Sequence, residues 1–420
     1  MQLRQQLQRN LPIIIATVVI GVIVGTSSAL LSLFLDHVEH LFLGFQESNR
    51  MPVNLDASAI HRGLSVIAGG ILAGFSWYLL QKKGYRPVGL AKAVEGQRMP
   101  LFRTLAHVLT QIFFVGTGGS IGRELSPREA GAAFAQKWED FANQHPALTL
   151  EDDDKRLLVA AAAGAGFAGV YIAPITGAFF CMELLYKRIT PRAIAVSLTM
   201  SSIATMIGAL VKGYVPYYLV SDRELSLRLL PYVIVVAPLM GWLGHLFGRA
   251  IKACSAKRPH QVKLLVLFPI VGLVTGLVAA VYPQIMGNGR GLAQLAMSTT
   301  APSRIAIVAL FFGLVAKPIV TLMTIRFGGY GGVLTPSISI GASLGVLLGM
   351  VYAIIVPGIP LAQFAVVGAV TFLTSSQTAP LMALFMLFEV CHLASGSFLM
   401  LALAAGLSIA VNKWLSAASN

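Results

Sequence analysis

The chain has 420 residues, of which 56% are hydrophobic and only 11% charged, less than half the charged share of an average soluble domain. That composition excludes a soluble globular protein, and the mean hydropathy of +0.76 comes from apolar runs of about 20 residues, each long enough to cross a bilayer. The net charge of +14 does not mark a nucleic-acid binder, because the basic residues gather in short loops between those runs.

Arg4 and Arg9 precede the first run, and Lys82, Lys83, Arg86, Lys92, Arg98 and Arg103 follow the second. The loop between them is acidic, so the positive-inside rule predicts a cytoplasmic N-terminus over residues 1–10. Residues 11–35 are too long for a signal-peptide core and lack a small-residue cleavage site, and read as the first span. Further apolar stretches follow at 64–81, 104–119, 157–185, 193–213, 229–251, 262–283, 302–324, 333–356, 363–391 and 396–415. Their uneven lengths predict tilted and broken helices. The run Glu151-Asp152-Asp153-Asp154 has little topological weight. Cys181, Cys254 and Cys391 show neither disulfide nor metal spacing. No cytoplasmic regulatory domain is expected after residue 415, only a short end at 416–420.

One fragment occurs twice. Ala173-Pro174 is followed by Phe179 and Glu183, and Ala379-Pro380 by Phe385 and Glu389, at identical offsets. The repetition predicts two inverted halves, 11–213 and 214–415, with a substrate site where broken helices meet near the bilayer midplane. Each half has a glycine-rich break: Gly118-Gly119-Ser120-Ile121-Gly122-Arg123-Glu124, and Gly328-Gly329-Tyr330-Gly331-Gly332-Val333-Leu334-Thr335-Pro336. The first turn of a helix directs N–H groups that lack intrahelical partners out along its axis, and the dipole adds positive potential. A helix start at membrane depth is therefore an anion site without a fixed charge. Glu124 on such a start can occupy the anion position when ionised and leave it when protonated, coupling a proton to an anion; the alternative is a structural ion pair with Arg123. Arg128, four residues on, is placed to pair with Glu124 on one face. Glu129 is either a second proton acceptor or half of an interfacial Arg128–Glu129 pair with snorkelled stems. Glu183 and Glu389 read as structural by their symmetry. Lys317 is an inward amine or a snorkelling side chain at a kink, and Arg326 a mouth charge or an interface anchor.

The chain resembles the ClC family of chloride channels and proton-coupled chloride antiporters. Gly119–Glu124 resembles the family's GxxGREGP element, with its gating glutamate at Glu124. Gly331–Pro336 resembles GGxFxP, whose amides bind the anion. The stretch from Ala160 to Glu183, together with Gly287-Asn288-Gly289, Lys317 and Ala379–Glu389, matches in order and spacing. There are departures. The family's first anion loop, with its serine, corresponds here to the region of Val88 and Gly89. The Gly-Pro after the gating glutamate is Leu125-Ser126, the aromatic of GGxFxP is Leu334, the inner glutamate after Glu183 is Leu184, and the chain ends near where a central tyrosine is expected.

The resemblance implies an all-α polytopic membrane protein of two inverted repeats of tilted, broken helices, a homodimer with one anion route per subunit. It implies transport of chloride or another small anion, held near Gly122, Arg123, Glu124, Leu125, Val333, Leu334 and Thr335. The expected location is the plasma (inner) membrane. Proton-coupled exchange gated by Glu124 and a passive voltage- or pH-gated channel both stay open; Glu124 favours the first, Leu184 and the missing tyrosine the second. A cation-coupled solute carrier is a rival transport class. An intramembrane enzyme lacks support, since there is no HExxH, serine–histidine or nucleotide-loop pattern. No cofactor, metal or nucleic-acid partner is expected.

Overall fold

No strand forms among the described residues, 2–418 of a computed structural model; residue 1 and residues 419–420, at the outer edges of the predicted terminal segments, lie outside them. Sixteen α-helices follow in order: α1 Gln2–Leu43, α2 Ala59–Lys82, α3 Leu90–Val94, α4 Leu101–Gly116, α5 Leu125–Ala142, α6 Asp152–Tyr171, α7 Pro174–Phe179, α8 Pro191–Lys212, α9 Leu230–Ala256, α10 Leu264–Val281, α11 Arg290–Ser298, α12 Arg304–Arg326, α13 Leu334–Ile355, α14 Leu361–Gln377, α15 Pro380–Val390 and α16 Ser397–Ala418. Eight helical segments are long and apolar enough to cross a membrane, and four shorter ones are apolar. The protein is an all-helical, multi-pass membrane protein. Helix α5 lies outside every predicted span, because Arg128, Glu129, Lys137, Glu139 and Asp140 interrupt its apolar residues.

Two of the predicted spans are broken, and at equivalent places. The stretch 157–185 stops at Ile172, which adopts the left-handed conformation (φ 55°, ψ 45°), and resumes at Pro174. The stretch 363–391 stops at Thr378 (φ 58°, ψ 40°) and resumes at Pro380. In each case the next residue's N–H reaches back five residues, Ala173 to Ala168 O at 3.3 Å and Ala379 to Thr374 O at 3.1 Å, closing the helix end. Proline then opens the next helix, where its missing N–H costs nothing. The repeated Ala-Pro is thus a repeated helix break. Beyond α7 the chain adopts a π-helical turn, Phe180–Leu185, which contains Glu183.

The chain divides into two compact units. The first comprises Met1–Phe34, Lys83–Leu109 and Glu124–Val215; the second comprises Leu35–Lys82, Thr110–Arg123 and Pro216–Asn420. Both are packed on small residues, as expected where lipid supplies no hydrophobic drive between helices. In the first unit a Cβ on Gly131 would stand 2.3 Å from Ala162 O, and one on Gly166 would stand 2.1 Å from Pro127 O, so the backbones of α5 and α6 touch. In the second, Cβ atoms on Gly341 and Gly368 would stand 2.4 and 2.2 Å from each other's carbonyl oxygens, and α13 and α14 touch in the same way. The acidic run predicted to lack topological meaning opens α6: Asp153 accepts from Tyr186 and Arg188, and Asp154 takes both Nε and Nη2 of Arg192 at 2.7 and 2.6 Å. Carboxylates at a helix N-terminus complement its dipole.

Gly368→Ala is expected to destabilise the protein by about 1–3 kcal/mol, the usual cost of overpacking. Gly406→Ala, where an added Cβ meets nothing within 4 Å, is expected to leave the melting temperature unchanged or raised. Thermal melts in detergent check both; equal melting temperatures for the two variants would contradict the packing account.

Candidate functional site

Both glycine-rich breaks begin with the same turn. Gly118 and Gly328 have φ of 100° and 110°, a region that costs glycine nothing and other residues much. The next residue of each closes the preceding helix, Gly119 N–H to Phe114 O and Gly329 N–H to Thr324 O, both at 2.8 Å. Four residues after each turn glycine, the breaks meet. Gly122 donates to Gly332 O at 2.8 Å, and Gly332 donates to Gly122 O at 2.7 Å. The bonded residues stand at equivalent positions of the two breaks. Below them, within the second unit, Trp77, Phe114, Phe268 and Tyr330 form an edge-to-face cluster with centroids 4.9–6.4 Å apart.

Helix α13 opens immediately beyond the bridge, with Val333 half-buried before it, Leu334 and Thr335 buried in its first turn, and Pro336 third. Lys317 of α12 is fully buried and points inward, so the snorkelling alternative is excluded. Its Nζ donates to Ser120 Oγ at 2.8 Å, Gly287 O at 2.8 Å and Ile285 O at 3.1 Å. Arg326 is half-buried and donates to Lys257 O at 2.6 Å.

Glu47 is an ion-pair partner of Arg123 that no local sequence signal announces. Glu47 Oε1 lies 3.2 Å from Arg123 Nη2 and 2.7 Å from Arg290 Nη1. Both guanidinium groups lie near the Tyr217 ring, their centres 5.6 and 3.8 Å from its centroid. Asn288 Nδ2 donates to the Tyr217 hydroxyl at 2.8 Å, and the hydroxyl lies 3.4 Å from Glu47 Oε1. Burial pushes the Tyr217 phenol up to about 12, so it stays neutral and can donate. Glu39 Oε2 accepts from the Glu47 N–H at 2.9 Å. Beside this network is a cavity of ≈ 20 Å³ lined by Glu39, Glu47, Gly118, Gly287 and Asn288, room for about one water.

In the first unit, Glu124 is fully buried and caps α5. Arg128 Nε donates to the Glu124 main-chain carbonyl at 2.6 Å, and its guanidinium lies 4.8 Å from the Phe180 ring. The predicted i,i+4 contact therefore forms through the backbone. Arg128 and Glu129 are both buried, which excludes the snorkelled interfacial pair, and Glu129 Oε2 lies 3.5 Å from His107 Nε2. Leu125 is half-buried in the first turn of α5. In the tentative anion loop, Val88 is buried and Gly89 is exposed at the start of the five-residue α3, too short to carry a dipole site. Glu183 and Glu389 are half-buried.

The residues missing from the sequence reading are Glu47, Tyr217, Arg290 and His107. Glu47 reads only as one charge in an acidic loop, and its partners lie 170 and 243 positions away. No local signal announces such pairs. Among the described residues no group of three His, Cys, Asp or Glu side chains is placed to hold a metal.

Residues 66–413 match the family described as voltage gated chloride channel. The chain belongs to this ClC family. It is 32% identical over 340 residues to a ClcB-like chloride channel protein of Ralstonia nicotianae, covering 77% of this chain and 76% of that one. It is 24% identical over 400 residues, 90% of each chain, to the voltage-gated ClC-type chloride channel ClcB of Salmonella dublin. Its fold is similar to those of a slow cyanobacterial Cl⁻/H⁺ antiporter (TM-score 0.78, 17% identity, 96% of this chain and 95% of that one) and a CLC-type fluoride/proton antiporter (0.73, 20%, 95% and 94%).

Removing one partner of a buried charge network leaves the others uncompensated, at a cost of about 3–5 kcal/mol. Glu47→Ala is therefore expected to lower the melting temperature sharply and to reduce anion flux by loosening the segment before Glu124. A Glu47→Ala protein that melts and transports like the wild type would show that the network does not hold this segment.

Proposed function

We propose that this ClC protein transports chloride or a similar small anion across the plasma membrane, by proton-coupled exchange gated by Glu124. The observation that carries the reading is the reciprocal Gly122–Gly332 bond, which fastens the two glycine-rich breaks together. The amides opening α13, at Val333, Leu334 and Thr335, and those of Arg123, Glu124 and Leu125, which follow the Gly122 amide bonded to Gly332, are the anion ligands. Their partial charges act in a water-poor setting, where each is worth more than in water. Lys317 adds one full positive charge beneath the same breaks while bonding to main-chain oxygens, which keeps it from trapping the anion as a bare ion pair would.

Glu124 follows Arg123 directly, and Arg123 is anchored to Glu47 and Tyr217. A gate side chain needs a rigid hinge, and this anchoring supplies one. When ionised, the Glu124 carboxylate competes for the anion position; when protonated, it releases that position and carries the proton. The named structural neighbours, both proton-coupled antiporters, support this reading. The passive-channel reading is favoured by the aliphatic Leu184 and by the channel names of the ClcB relatives. The subunit is built from two inverted halves, 11–213 and 214–415, with its N-terminus in the cytoplasm, and it works as a homodimer with one route in each subunit.

Proteoliposomes loaded with chloride, nitrate or fluoride, with internal pH recorded, test the proposal. Wild-type protein is expected to move protons against anions. Glu124→Gln is expected to abolish proton movement while anion flux persists or rises. Proton coupling left intact in Glu124→Gln would remove Glu124 from the gate.

A further inference from the structure

Glu124 can take up or release a proton only where its side chain reaches, and a second buried acceptor would extend the route toward the opposite face. The first unit contains one, built from residues that the gate does not use.

His107 of α4 and Glu129 of α5 face each other at 3.5 Å between Nε2 and Oε2, with side-chain exposures of 0% and 5%. A buried imidazole against a buried carboxylate is the side-chain pair best suited to exchanging one proton near neutral pH. The direction of the chain places the pair on the correct side of the gate. Arg98, just before α4, bonds to Glu139 and Asp140, near the end of α5. The start of α4 and the end of α5 therefore lie on one face of the membrane, the face of the basic loop 83–100. Glu129 is five residues, about 7.5 Å of helix rise, beyond Glu124 toward that face. His107 is six residues, about 9 Å of rise, from the start of α4. Beyond His107 stands buried Tyr85, its ring centroid 5.7 Å away and its hydroxyl 3.4 Å from Thr104 Oγ1, between the exposed residues Gly84 and Arg86. Among the ionisable groups near the pair are Tyr85, beside His107, and Arg128, which lies near Glu129. Arg128 lies within electrostatic reach of both glutamates and Tyr171, and its Nε is committed to the Glu124 carbonyl.

We propose that Glu129 and His107 form the inner proton relay of this protein, leading from the gate to the basic face by way of Tyr85. The assignment rests on the coupled reading of Glu124. The proton on the Glu124 carboxyl passes, through the swing of that side chain and intervening water, to the Glu129 carboxylate. Glu129 then protonates the neutral His107 imidazole, regenerating its carboxylate beside an imidazolium. The imidazolium loses the proton to water at the Tyr85 end. No bond other than O–H and N–H changes. The Arg128 guanidinium near Glu129 offsets the charge of its carboxylate, which makes the burial of the pair tolerable.

The test is the proton-to-chloride ratio in proteoliposomes, which a merely structural role would not move. Glu129→Gln is isosteric and His107→Gln keeps a polar group that does not titrate, and each carries the test by itself should the other fail to fold. Either is expected to lower the ratio about tenfold or more, the usual scale for loss of a positioned proton carrier. Glu129→Asp, which keeps a carboxyl, is expected to retain coupling. Wild-type coupling that disappears in Glu124→Gln but survives in both glutamine variants would overturn the relay alone. Wild-type vesicles that move chloride with no protons would overturn the coupled reading and the relay with it.

Discussion

Two hydrogen bonds, Gly122 to Gly332 and back, tie the two glycine-rich breaks of this protein together. Each is an ordinary backbone bond. Their importance comes from what they exclude: neither break can relax into a continuous helix while its glycine is bonded to the other. A continuous helix would satisfy its own amides internally and offer an anion nothing. The breaks persist because left-handed glycines at 118 and 328 close the preceding helices and because the aromatic cluster of Trp77, Phe114, Phe268 and Tyr330 fills the space below. Irregular backbone at membrane depth is tolerable only where protein or water surrounds it, and here protein does.

Buried charge is then arranged so that no ion stands alone. Lys317 spends its three protons on a hydroxyl and two carbonyls. Arg123 and Arg290 share Glu47 and both lie near the Tyr217 ring. Arg128 uses one backbone carbonyl and the Phe180 face. Positive charge is thereby placed in the interior yet occupied by fixed partners. A transported ion sees its field without being captured by it, the balance conduction requires.

Much of this was legible in the sequence. The Ala-Pro repeat and the two glycine-rich breaks locate the helix interruptions, because proline and glycine act through the backbone at their own positions. The family resemblance was legible for the same reason: its motifs are backbone motifs. Helix α5 was legible at its start near Glu124 but not as a span, because it carries five charged side chains and is buried on alanine and glycine rather than on large apolar residues. Glu47, Tyr217, Arg290 and His107 escaped because their roles are made by partners distant in the chain. Arg123 shows the limit most clearly, because its ion pair with Glu47 spans 76 positions of the chain.

The central claim is that main-chain amides, not a fixed cation, hold the ion. Crystals grown in bromide and measured at the bromine absorption edge test it directly. The account predicts an anomalous peak within hydrogen-bonding distance of the N–H groups that open α13 at Val333–Thr335. Bromide bound instead to the Lys317 ammonium or the Arg123 and Arg290 guanidiniums, with no peak at those amides, would contradict it.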